Sequence, residues 1–226
     1  LATDPTIAMS SAGADPEPQP GWVDAELAAE FPDMGLAVIE VDVQPRASPR
    51  AIQERLSQLS NRFYGVHAIT MRQAAIPAAY RVFFRHVGLD PDSHRTPIEA
   101  AAFERLLSGG FVSRNLVDDA LLIGLLETGV PIWALDSARV SGPLGIRAAR
   151  PGERLGRTPD APPLASGSLV VADADSALAV LFGELAPGHG VVDDSRRMTL
   201  FAVHVAGVPA IHVDEALWTC ATVLES

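Results

Sequence analysis

Apolar and polar positions change rhythm roughly halfway along the chain. Up to about residue 128 the apolar residues fall at helical spacings; beyond it they gather into short runs and alternations separated by Gly, Pro and Asp. A short helix is predicted over about residues 24–31, followed by a strand at Gly35–Val43. Ser48-Pro49 opens a helix running to about Phe63, since Ser is a good N-cap and Pro suits the first helical position. The next helix, about Pro77–Val87, presents Tyr80, Phe83, Phe84 and Val87 to a core. It turns Arg81 and Arg85, one turn apart, outward and stops at Gly88. Thr96-Pro97-Ile98-Glu99 is a capping box that starts a helix ending at Ser108. A further helix spans Asn115–Thr128: Asn115 reads as its N-cap, and Asp119 lies in its first turn, where free N–H groups and the dipole favour a carboxylate. Gly129 suits the left-handed residue after that helix, and Pro131 forbids its continuation.

In the second half, Pro131–Leu135, Leu144–Ala148, Ser168–Ala172 and Thr199–Val205 read as strands. Arg150–Gly167 is a Pro-, Gly- and Arg-rich loop or hairpin arm, while Asp175–Leu185 and Asp214–Leu224 read as two more helices. The prediction is one mixed α/β (α+β) domain over residues 21–226, preceded by a flexible tail at 1–20 interrupted by Pro16, Pro18 and Pro20.

Composition narrows the classes. No run approaches the roughly 18 apolar residues of a membrane span, and a cytoplasmic location is expected. Cys220, the single cysteine, excludes an internal disulfide and a Cys-based zinc cluster. The net charge of −11 argues against strong binding to nucleic acid. The acids are concentrated early, however: residues 1–33 hold seven of them and no Arg, whereas 46–105 hold nine Arg against five acids, with His67, His86 and His94 nearby. Such a face is compatible with weak RNA contact, but charge alone favours a solvated helix surface. Every cation is Arg.

Candidate chemistry is sparse. His189, Asp193 and Asp194 lack a recognised metal-ligand spacing, so no metal is expected, and no cofactor is implied. No Gly-x-Ser-x-Gly elbow frames a nucleophilic Ser. His204 and His212 lie in apolar alternation and read as partly buried structural residues. Glu184, after Gly183, reads either as a pocket carboxylate or as a solvated one, and Trp133 either as core or as pocket lining.

An ordered set of short segments supplies a resemblance. It comprises Gly88-Leu89-Asp90-Pro91, Arg95 to Ala100, Asn115-Leu116-Val117, Glu127-Thr128-Gly129-Val130-Pro131 and Ala134-Leu135-Asp136. Gly142 to Arg147, Val171-Ala172-Asp173 and Asp194 to Arg197 complete it. At these spacings the chain resembles the B3/B4 domain, the editing domain of the phenylalanyl-tRNA synthetase β subunit, in its free-standing form. The resemblance implies a central sheet packed against helices around a pocket, in which a mischarged aminoacyl-tRNA ester is hydrolysed. The family's threonine and asparagine positions fall on Leu121 and Leu122, its histidine position on Trp133, and its glutamate on Glu184. Leu offers no hydrogen-bonding group and Trp one donor, so only Glu184 is left as a catalytic candidate. Trp133, Leu121, Leu122, Asn115 and Asp119 are the expected substrate-binding residues, and Arg81 and Arg85 the expected RNA contacts. Two functions follow: trans-acting hydrolysis of mischarged aminoacyl-tRNA, or a repurposed pocket that binds or converts a small apolar amino-acid-like ligand without tRNA. A third class is a non-catalytic module contacting a synthetase or tRNA. Neither a membrane nor DNA is an expected partner.

Overall fold

Tight turns and caps set the frame of this chain. The computed structural model describes residues 17–63, 70–156, 158, 161 and 163–226; most of the expected tail, His67 and part of the 150–167 arm lie outside them. Among the described residues are six α-helices: α1 (Ala25–Glu30), α2 (Arg50–Arg62), α3 (Ala75–His86), α4 (Pro97–Ser108), α5 (Leu116–Thr128) and α6 (Ala210–Leu224). Eight strands join them: β1 (Gln19–Pro20), β2 (Trp22–Val23), β3 (Gly35–Asp42), β4 (Ile132–Asp136), β5 (Gly145–Ala148), β6 (Leu169–Ala172), β7 (Ala177–Val180) and β8 (Arg197–His204).

The fold is mixed α/β, as expected, and its strands form two sheets. The first is antiparallel in the order β1-β3-β8-β4, with Gly35 opposite His204 and Trp133 opposite Phe201. The second runs β2-β5-β6-β7, with β2 parallel to β5 and the remaining pairs antiparallel. β8 is buried from Met198 to Val203, on alternate faces, so both faces of the first sheet are covered. Helix α6 packs on β8 and β3 and against α5, which is apolar on most sides and accordingly buried on most sides. From the other side the Tyr80 hydroxyl of α3 donates to the Val203 carbonyl at 2.8 Å, and burial pushes its pKa well up.

Several local expectations hold and others are corrected. Asn115 caps α5 by accepting from the Asp118 N–H at 2.9 Å, Gly129 ends it at φ 78°, and both halves of the Thr96–Glu99 capping box are present. Ser48 is not the cap of α2: that position belongs to Pro49, and the Ser48 hydroxyl turns to Asp119 instead. Gln19–Pro20, assigned to the tail, pair with Val38 and Ala37. The expected helix at Asp175–Leu185 is strand β7 followed by a turn, because its apolar run completes the second sheet beside β6. Among the described residues of the arm, Arg154 forms an isolated antiparallel bridge with Pro163, and a bidentate Arg147–Glu153 pair at 2.7 and 2.5 Å ties Glu153 to β5.

Candidate binding site

The break between α5 and β4 positions the site. Helix α5 brings Leu121 and Leu122 to its outer face, and the αL residue Gly129 with Pro131 returns the chain immediately into β4, which carries Trp133. The three residues thereby meet in one cavity of about 290 Å³, together with Leu125, Ile132 and Phe182, with Arg95 at its edge. Pro97, Ala100 and Pro131 complete the lining. Its only ionisable lining side chain among the described residues is Arg95, an exposed residue whose guanidinium lies 4.0 Å from the centre of the Phe103 ring.

Trp133 is half-buried and held on three sides. Its ring stacks on Phe201 at 5.7 Å with a 12° interplanar angle, meets Phe182 edge-on at 5.8 Å, and donates from Nε1 to the Gly183 carbonyl at 3.2 Å. Phe182 is the residue that sequence reading missed. It has φ 59°, the one positive value on a non-glycine residue among those described, and its ring also contacts Tyr80, Phe83 and Phe84 at 5.1–5.8 Å. A left-handed Phe costs about 1–2 kcal/mol; an aromatic cluster on this scale offsets it. The signal was the Phe-Gly pair at 182–183, hidden by the reading of that segment as helix.

A second cleft, of about 470 Å³, adjoins the first and shares Leu121, Ile132 and Trp133 with it. Ala134, Asn115, Arg46 and Arg114 lie on its walls, facing Leu185 and the segment Gly190–Asp193. The loops that carry Arg46 and Arg114 are fastened through Asp119. This carboxylate is 1% exposed; its Oδ2 accepts from the Ser48 and Ser113 hydroxyls, both at 2.5 Å, and its Oδ1 from the Arg114 N–H at 3.0 Å. Asp119, in the first turn of α5 as expected, is therefore also an anchor of the wall, and it lines a smaller depression that includes Leu121 and Leu122.

The remaining candidates fall elsewhere. Glu184 is exposed on the turn after β7 and lines neither cavity; its backbone carbonyl accepts from Val180 N–H at 3.0 Å. Arg81 does not face outward: its side chain is 11% exposed and bonds Glu99 at 2.5 Å and Asp92 at 2.7 Å. Burial works against that guanidinium's charge, and the two carboxylates more than offset it, raising the pKa. Arg85 is exposed on the same helix. Arg50, Arg55 and Arg72 are likewise ion-paired, to Glu54, Glu127, and Asp92 with Glu99, so much of the basic stretch at 46–105 is internally neutralised. His204 and His212 are partly buried, and no group of three or more His, Cys, Asp or Glu is arranged to hold a metal among the described residues.

No family model matches the chain. Over 133 residues, 56% of its length, it is 34% identical to the phenylalanine–tRNA ligase beta subunit of Streptomyces avermitilis, and the match covers 14% of that longer protein. No helix among the described residues is long and apolar enough to cross a membrane. Over those 133 residues the chain is similar to part of a phenylalanine–tRNA ligase beta subunit and spans a small fraction of that protein's length.

Proposed function

We propose that this domain binds an apolar amino-acid-like group, its side chain seated among Leu121, Leu122, Trp133 and Phe182 and its carboxylate or ester end towards Arg95. The observation that carries this reading is the convergence of those four apolar side chains on one cavity whose edge holds a single cation. The energetics are modest. Burying a Leu- or Phe-sized side chain contributes about 1.5–3 kcal/mol, and an exposed Arg–carboxylate pair about 0–1 kcal/mol. A millimolar Kd requires about 4.1 kcal/mol. A free amino acid thus binds weakly, and tighter binding needs contacts beyond this cavity. Isothermal titration and thermal shift with Leu, Ile, Phe and Met, and with their methyl esters, should give binding that Asp and Lys do not. Leu122→Asp should abolish it. If no apolar amino acid or ester shifts the melting curve, the reading is lost.

The similarity to a tRNA ligase beta subunit favours a second reading, trans-acting hydrolysis of mischarged aminoacyl-tRNA with the acyl group in the same cavity. The lining side chains provide no carboxylate, imidazole or hydroxyl to activate water. Glu184, on the turn whose Gly183 carbonyl receives the Trp133 indole N–H, is the nearest candidate in sequence. Incubation with a panel of mischarged tRNAs separates the two readings. Ester loss that Glu184→Gln suppresses supports hydrolysis, whereas intact esters and no tRNA retention at low salt exclude it.

A further inference from the structure

We propose that the larger cleft takes a short extended peptide by strand addition to β4, with one apolar side chain of that peptide entering the neighbouring cavity. The proposal rests on the apolar-pocket reading and names the class of ligand. β4 is the terminal strand of its sheet. In an antiparallel ladder alternate residues direct both backbone groups to the same side. The Asp136 N–H donates to the His189 carbonyl at 2.9 Å, away from β8, so Ala134 and Ile132 turn their N–H and C=O outward as well. No backbone bond from outside the sheet reaches either residue among the described residues. Beyond His189 the chain leaves β4, and Gly190–Asp193 form the far wall of the cleft.

Ile132 and Ala134 are buried and line the cleft, which therefore offers two successive outward backbone positions on an unpaired strand edge, the feature that extended peptides recognise. Two positions on one edge span roughly 7 Å of strand, the reach of a tripeptide. The cleft of about 470 Å³ lies within the range of roughly 300–1,000 Å³ that holds small ligands. Because the two cavities share Leu121, Ile132 and Trp133, a residue paired to the edge lies beside the apolar cavity. The charges agree. Arg46 donates to the Ser226 carbonyl at 3.0 Å and Arg114 pairs with Glu104 at 2.6 Å, while Asp118 and Asp193 also line the cleft, so its walls carry no surplus of positive charge to draw a polyanionic strand. Backbone hydrogen bonds would also provide the contacts that a free amino acid lacks.

The test uses defined probes with the whole chain: N-acetyl-Ala-Leu-Ala-amide and its Phe analogue, the same peptides N-methylated at each backbone amide in turn, free Leu and Phe, and a short single-stranded RNA. The parent peptides should bind at least tenfold more tightly than the free amino acids. At least one N-methylation should weaken them tenfold or more. Ala134→Pro removes an outward N–H and no ladder bond, a change that edge strands tolerate, and should cause a similar loss. Because N-methylation alters only the probe, it remains informative if that variant misfolds. Equal affinity for peptide and free amino acid, or no effect of any N-methylation, overturns strand addition and leaves the apolar pocket standing. Binding of neither overturns both readings, and binding of the RNA in place of the peptides overturns this one.

Discussion

Two side chains hold the site together, and their substitutions should fail differently. Phe182 joins Trp133 to Tyr80, Phe83 and Phe84 from a strained backbone position. Phe182→Ala keeps the strain and loses the ring, so a destabilisation of about 2–4 kcal/mol is expected. Trp133 should also become more exposed, visible as a red shift of its fluorescence. Phe182→Gly, which relieves the left-handed cost, should be the less damaging of the two by about 1 kcal/mol. Asp119 acts through hydrogen bonds. In Asp119→Ala the Ser48 and Ser113 hydroxyls and the Arg114 N–H lose their shared acceptor. A cost of about 2–4 kcal/mol is expected in urea unfolding, with Asp119→Asn recovering part of it. A variant as stable as the parent would remove Asp119 from its role as anchor. Neither role was legible in the sequence. For Asp119 only its place in the first turn of α5 was readable, because its partners Ser48 and Ser113 are brought to it by loops, and Phe182 was hidden because the Phe-Gly pair lay in a segment read as helix.

At the scale of elements, α3 and α4 are joined through Glu99. Burial alone would raise the pKa of this carboxyl. The Thr96 hydroxyl and N–H and the Arg81 charge outweigh burial and hold it below the ordinary 4.5. A depressed carboxyl stabilises the fold above its unfolded pKa, and that contribution disappears as the pH falls through the folded value. The parent should therefore exceed Glu99→Gln in urea midpoint at pH 6–8, and the gap should close on acidification below about 4.5. A gap independent of pH would assign the effect to packing. Helix boundaries here were readable because their causes are local: the capping box, the Asn115 cap, and Gly129 before Pro131. Strand β7 was not. A four-residue apolar run buried on both faces has no period of its own, and only pairing with β6 makes it a strand.

For the whole molecule, the order of helices and strands and the mixed class were written in local chemistry, since apolar spacing and capping act within a few residues. So was the convergence of Leu121, Leu122 and Trp133: one helix, one αL break and one strand lie within thirteen residues. Charge was misleading by comparison. The Arg-rich stretch at 46–105 suggested a basic face, but Arg55 pairs with Glu127 and Arg81 with Glu99, across separations that composition does not report. What tertiary structure alone decided was the division of the strands into two sheets, the exposure of Glu184 and the unpaired edge of β4 beside the cleft. Each depends on which distant segment arrives alongside, as His189 does at Asp136. Local energies select the conformation of a segment; its neighbours, and therefore its cavities and unpaired edges, are set by the burial of the entire chain.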